Sequence, residues 1–226
     1  MIVEVCVDSA ESAQLAASAG ADRLELNLAL ELDGLTPSAG LVQQVISSVE
    51  IPVIAMARPR SGNFVYSNHQ WGTILSDIDF LVKNGAAGIA FGCLNEDRTI
   101  DETRCRQAMA IGHGKEMVFH RAFDETPNWE TALETLIDLG VSRILTSGQA
   151  ESAHIGISNL AAMQEKAAGR IEILPGAGVT AENAVEIIQK TGVTQIHGSF
   201  ARSKSRGLYE EVQLVVKQLA HHAGGF

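Results

Sequence analysis

The chain has 226 residues, 46% hydrophobic and 19% charged, which is material for a sizeable core and excludes a disordered or collagen-like composition. A net charge of −10 with no basic cluster argues against nucleic acid or an anionic membrane as partner, and no apolar run reaches the roughly 18 residues of a membrane span. Three widely spaced cysteines, Cys6, Cys93 and Cys105, with no CxxC pair and no secretory signal, point to a reducing compartment and hence the cytoplasm.

In chain order, IVEVCVD at 2–8 alternates apolar and polar and predicts a first strand, followed by a helix over 9–19 capped by Ser9. GADRLEL from Gly20 predicts a second strand, and Pro37-Ser38 opens a helix over 38–49. IPVIAMAR from Ile51 is a third strand with a helix over 69–84. GAAGIAF from Gly85 is a fourth, with a helix over 101–111. EMVFHRA from Glu116 and the helix 129–139 follow, then GVSRILT from Gly140 with 152–168. RIEILPG from Arg170 precedes a helix over 181–191, with Thr180 as its cap and Asn183 three residues on. GVTQIHG from Gly192 and a helix over 208–222 end the series.

Four of these strands share one pattern: a helix, a Gly, a small residue, then a strand. Gly suits the helix C′ position, which often needs positive φ. The repeat fits construction from (βα)2 units. Eight alternating strands and helices imply parallel pairing and favour a single α/β domain over 1–226, a closed (β/α)8 TIM barrel. The competitor, an open doubly wound sheet, usually carries a glycine-rich loop after its first strand; here Asp8-Ser9-Ala10-Glu11 stands there.

Barrel sites lie at the C-terminal ends of the strands, and strand parity sorts the residues. Glu4, Cys6 and Asp8 share the inward face of the first strand, Glu25 and Asn27 that of the second, and Ile54, Met56 and Arg58 that of the third. Val118 and His120 point inward from the fifth, with Arg121 and Asp124 just beyond, and Gln195, His197 and Ser199 from the eighth. The fourth strand offers either Ala90 and Gly92 or Ile89 and Phe91. The expected mouth therefore holds Glu4, Glu25, Arg58, His120 and His197, beside Cys6 and Asn27. Such a set is either a functional pocket or a satisfied ion-pair network. His120 is the first candidate for acid–base work and His197 the second, because imidazole titrates near neutrality. Arg58 and Arg121 can hold an anion with their planar forks, and Arg60 in RPR lies two residues on, in the loop.

PGAGVTAEN at 175–183 follows the seventh strand. Gly176 and Gly178 free backbone N–H groups before a helix start, a common phosphate-binding arrangement in barrels; GSFARS at 198–203, including Ser199, can supply the other half and TSG at 146–148 a weaker third part. No local zinc motif is present. Cys93 and Cys105 read as small buried hydrophobes.

EVCVDS at 4–9, GADRLEL at 20–26, GLTPS at 34–38, RPRSGNFVYS at 58–67, FHRAFD at 119–124, RILTSG at 143–148 and PGAGVTAEN at 175–183 together resemble the CutC family, long labelled copper homeostasis proteins. The resemblance spans nearly the whole chain. It implies a cytoplasmic (β/α)8 barrel, often a homodimer, with copper, as Cu(I), held through cysteines. Family members usually carry a Cys where this chain has Asn27, so Cys6 lacks its nearby thiol and soft-metal preference falls. Three functions compete: a copper-handling protein using Cys6 with His120 or His197; an enzyme of unknown reaction acting on a small anionic metabolite, with or without a phosphate group; and a non-catalytic scaffold or sensor. In the enzyme reading Arg58 and Arg121 hold the anion and His120, Glu4 or Glu25 moves the proton. The charged mouth favours an organic anion, and the family label favours copper.

Overall fold

The computed structural model describes residues 1–112, 114–200 and 207–223, without the side chains of residues 222 and 223. Eight strands, β1 (Ile2–Val7), β2 (Arg23–Leu26), β3 (Val53–Met56), β4 (Gly88–Phe91), β5 (Glu116–Phe119), β6 (Arg143–Thr146), β7 (Glu172–Pro175) and β8 (Gln195–Gly198), pair in parallel in the order β7-β6-β5-β4-β3-β2-β1-β8. β7 and β8 lie side by side at the remaining seam, so the sheet is a nearly closed barrel. Around it run α1 (Ala10–Ser18), α2 (Ala39–Ser48), α3 (Asn68–Lys83), α4 (Glu102–Ile111), α5 (Trp129–Asp138), α6 (Ile157–Ala167), α7 (Ala184–Thr191) and α8 (Leu208–Ala223). Among the described residues, no helix is long and apolar enough to cross a membrane.

Local chemistry sets the helix ends. Ser9 and Ser12 form a capping box at the start of α1, and Ser67 with Gln70 repeats it for α3. The repeat glycines Gly20, Gly85, Gly140 and Gly192 all take positive φ where a helix turns into the next strand. Two helices begin later than the sequence predicts. α6 starts at Ile157 because the amide of Ala153 bonds across to the carbonyl of Ala177 instead of continuing a helix. α7 starts at Ala184, because the Thr180 amide bonds to the Asn183 side chain and that of Ala181 to Glu211 of α8.

Strand parity divides the core in two. Val3, Val5, Val7, Leu24, Leu26 and Ala55 face the helices in one large apolar layer, which also takes Ile89 and Phe91 of β4. Ile54, Met56, Ala90, Val118, Leu145 and Leu174 form a separate cluster inside the barrel. The β4 ambiguity is thereby resolved in favour of Ala90 facing inward.

Candidate functional site

Most polar inward positions gather on β8, β1 and β2, and Glu116, Arg143 and Glu172 extend the set along the lower ends of β5, β6 and β7. Glu4 is paired in register with Arg23 and with His197, and Cys6 with Glu25. The Arg23 guanidinium donates through Nε to Glu4 Oε2, and through Nη2 to Gln195 Oε1 at 2.7 Å. His197 Nδ1 meets Glu4 Oε1 at 2.8 Å, which turns Nε2 toward Glu25, 3.9 Å from Oε2. Asn27 Nδ2 donates to Glu25 Oε2 at 2.8 Å and lies 3.3 Å from Cys6 Sγ. Deeper still, Gln195 Nε2 donates to Glu172 at 2.8 Å, and Arg143 Nη2 to Glu116 at 2.9 Å. Arg23, Arg143, Glu116 and Glu172 were missed by the sequence reading. Their parity on the second, fifth, sixth and seventh strands is the signal that could have found them.

The electrostatics of this cluster split its two carboxyls. Burial pushes Glu4 up, but the hydrogen bond and charge of His197, with Arg23 and Arg143, outweigh it and hold the group at about 2. Glu25 goes the other way: burial, with the negative Glu4 beside it, raises it despite His197. Burial disfavours the charged form of His197, yet Glu25 and Glu4 together raise its pKa. Burial, then the charges of Glu25 and Glu4, push the Cys6 thiol well above its ordinary value.

Glu4 does not meet Arg58 and His120 at the mouth. It sits lower, because parity fixes the face of a strand and not the height along it. Arg58 and His120 belong to a second cluster with Phe64. The Arg58 guanidinium clamps loop carbonyls, with Nη1 to Leu32, Asp33 and Gly34 and Nη2 to Gly62, and lies 5.0 Å over the Phe64 ring. Arg60 does the same outside, with Nη1 to Asn63 at 2.7 Å and Nη2 to Val65 at 2.7 Å. His120 stacks on Phe64 at 4.9 Å and accepts the Ala122 amide at Nδ1, which places its proton on Nε2. Burial and then the Arg58 charge lower its pKa to about 3, so its imidazole is neutral at ordinary pH and not poised for proton transfer.

Asp124 ties the loop after β6: it accepts from Thr146 Oγ1, from the amides of Ser147 and Gln149, and from Arg121 Nε at 3.0 Å. That leaves Arg121 part-exposed, with Nη2 3.4 Å from Ser147 Oγ. Gly176 packs so close that a Cβ there would lie 3.2 Å from His197 Cδ2, and Gly178 takes a φ of +74°. Ser199 is half-buried beyond β8, and residues 201–203 of the GSFARS segment lie outside the described residues. The helix start expected to aid anion binding is filled internally, because buried Glu211 accepts the Ala181 amide at 3.1 Å.

The family model for the CutC family matches residues 1–202. A family protein CutC of Treponema denticola is 48% identical, over 90% of this chain and 82% of its own length. The human copper homeostasis protein cutC homolog is 44% identical, over 92% of this chain and 76% of its own. The chain belongs to the CutC family. The solved CutC of Streptococcus agalactiae superposes with a TM-score of 0.84 at 34% identity, covering 88% of this chain and 98% of that one. A phosphoribosylanthranilate isomerase from Thermotoga maritima superposes at 0.65 with 12% identity, over 98% of this chain and 100% of that one, a likeness of the barrel alone.

Among the described residues of this CutC-family chain, Cys6, Glu25 and His197 form a group able to ligate a metal. One donor atom each of Cys6, Glu25 and His197 lie within 4.8 Å of one another. Glu4 on His197 Nδ1 supplies the outer carboxylate that orients metal-binding histidines elsewhere. One thiol, one imidazole and one carboxylate form a borderline donor set, suited to a divalent ion ahead of a purely soft one.

Proposed function

We propose that the protein handles copper, as the names of its relatives state for them, and that the ion is held inside the barrel by Cys6, His197 Nε2 and Glu25. The observation that carries this reading is their convergence within 4.8 Å, with Glu4 orienting the imidazole. The donor set favours Cu(II) over Cu(I), since a soft monovalent ion gains most from two thiolates and Asn27 stands in the second position. Binding must displace the thiol proton and those that the raised pKa values of His197 and Glu25 favour on these groups, so affinity rises with pH. The reading extends to one barrel domain over residues 1–226, working in the cytoplasm as a homodimer. It is tested by titrating Cu(II) into the unmutated chain and into Cys6→Ser, Glu25→Gln and His197→Gln, while following the thiolate-to-copper absorption band. One equivalent should bind, with the band absent in Cys6→Ser. Equal binding by all four proteins would overturn the assignment.

A second reading is favoured by one observation. His197 stands between Glu4 Oε1 at 2.8 Å and Glu25 Oε2 at 3.9 Å, and the two carboxyls around it are pushed apart, Glu4 down and Glu25 up, the pattern of an acid–base pair. In it Glu25 gives the proton, and Arg121 with the Gly176–Gly178 loop and Ser199 holds a small anionic metabolite. Inorganic phosphate measured by calorimetry against Arg121→Ala tests it: binding lost in the variant supports the reading, and no binding by either protein removes it.

A further inference from the structure

We propose that Cys93 and Cys105 form a second, buried soft-metal site that takes Cu(I) through two thiolates. The two sulfurs lie 3.6 Å apart, one just past β4 and one in the first half of α4, and both residues are completely buried. Packing alone needs only small apolar volume at these positions, which Ala or Val supplies. It gives no reason for two thiols to face each other, whereas a soft monovalent ion prefers that arrangement.

The frame around the pair holds it in place. The carbonyl of Asp101 accepts the Cys105 amide at 2.9 Å and also faces Cys93 Sγ at 3.8 Å. With metal–sulfur bonds of roughly 2.3 Å, as for zinc thiolates, a linear ion spans about 4.6 Å. The pair therefore opens by about 1 Å, within reach of a side-chain rotation. A surface cavity of about 210 Å³ is lined by Tyr66, Leu94, Glu96, Asp101 and Arg104 among others, and so by chain neighbours of both cysteines. Leu94 follows Cys93 in the chain and Arg104 precedes Cys105. Glu96 gives the cavity a carboxylate that attracts a cation, while Asp101 caps α4 and is paired with Arg104 at 3.4 Å, whose positive charge favours the Cys93 thiolate. The turn between Leu94 and Ile100, held by their β-bridge, by the Asn95 amide on the Thr99 carbonyl at 2.9 Å and by the Asp101 amide on the Cys93 carbonyl at 3.3 Å, is the segment through which an ion would enter.

On binding, two S–H bonds break, two Cu–S bonds form and two protons leave to solvent. Copper keeps its oxidation state, so no oxidant or reductant is consumed. The choice of copper rests on the copper reading above, while the dithiol is a separate site. The two sites divide the ion by its state: the mouth, with one thiol, suits Cu(II), and the buried pair suits Cu(I).

The test titrates reduced, full-length Cys6→Ala anaerobically with Cu(I) against a chromophoric Cu(I) chelator, beside Cys93→Ala and Cys105→Ala. Cys6→Ala should keep one equivalent, with two sulfurs around the ion by X-ray absorption. Each of the other variants should bind at least about 100-fold more weakly, beyond what loss of an outer partner costs. No Cu(I) in Cys6→Ala, or a shell of nitrogen and oxygen, would overturn the proposal. Should Cys93→Ala fail to fold, the sulfur count in Cys6→Ala decides alone, since Cys93 and Cys105 are then its only thiols. His197→Gln weakens only the mouth, so failure of that reading and failure of this one give different titrations.

Discussion

The two sides of the barrel interior are built from opposite chemistry. From β3 to β7 the middle inward positions hold Ile54, Met56, Ala90, Val118, Leu145 and Leu174, an apolar plug that any barrel of this size could use. From β8 through β1 to β2 the inward positions hold Gln195, His197, Glu4, Cys6, Arg23, Glu25 and Asn27, all but Cys6 fully buried. The fold needs only the first kind of filling. Buried charge costs several kcal/mol per ion before pairing repays it, and well-packed apolar residues often do as well. The polar side therefore marks the part of the interior whose composition folding alone does not explain.

The largest expected effect breaks that polar side. Glu4→Leu leaves Arg23 buried without its counter-charge and His197 with Glu25 alone, and should cost about 3–5 kcal/mol by urea unfolding. Replacing Glu4, Arg23 and His197 together by apolar residues of similar volume should recover most of that stability and abolish metal binding at the mouth. A triple variant as unstable as Glu4→Leu would show that the network itself is needed for the fold. Acid sharpens the same point. Glu4 sits at about 2 in the folded chain against an ordinary 4.5, so its contribution is complete above pH 4.5 and lost as pH falls toward 2. Its size is roughly 3 kcal/mol, and Glu4→Gln should flatten that limb. His197, raised from 6.5, contributes with the opposite sign: its stabilisation is complete below pH 6.5 and lost as pH rises through its folded pKa.

On the apolar side Leu174→Ala should cost about 3 kcal/mol through lost burial and a cavity. Copper affinity should stay unchanged, because Leu174 supplies no donor atom to the ion. A loss of copper with retained folding would mean that the two sides are not separable.

The contrast between the two sides was half legible in the sequence. The repeat of Gly, small residue and strand marked four strands and the apolar segments between them the other four, because helix C-termini and strand starts are encoded locally. Parity gave the inward face of β1, β2, β3, β5 and β8 for the same reason. Height along the strand is not local, since it depends on the stagger between neighbours, and so Glu4 was expected beside Arg58 and His120 but pairs with His197 and Arg23. Loop clamps were equally hidden. Nothing in RPRSGNF announces that Arg58 reaches back to the carbonyls of residues 32–34. Nor can a separation of 12 residues show that Cys93 and Cys105 face each other.

His197→Gln tests the polar side at its proposed ligand. The amide keeps a bond to Glu4 but supplies no imidazole nitrogen, and Cu(II) affinity should fall at least about 100-fold, beyond the cost of losing an outer partner. Competition with a Cu(II) chelator at constant pH measures this. An unchanged constant would remove His197 from the site and leave Glu25 and Cys6 too few to hold the ion.

The smallest expected effect comes from Asn27→Cys, which makes the mouth resemble the buried dithiol. Asn27 is wholly buried, with its Nδ2 3.3 Å from Cys6 Sγ and 2.8 Å from Glu25 Oε2, so a sulfur at this position lies beside both donors. Cu(I) then gains a second thiolate. The same change removes an amide hydrogen bond from Glu25, at about 1 kcal/mol of stability. That bond lowers the pKa of Glu25, so losing it lets the carboxyl rise further and reduces its use as a donor. The opposing effects leave a net gain in Cu(I) affinity of about tenfold, which should appear in competition titrations on a background lacking Cys93 and Cys105. Cu(II) affinity should not rise with it, because that ion relies on the imidazole and the carboxylate. A parallel rise for both ions would mean that Asn27 merely obstructs the mouth, and the distinction between a borderline site and a soft one would fail.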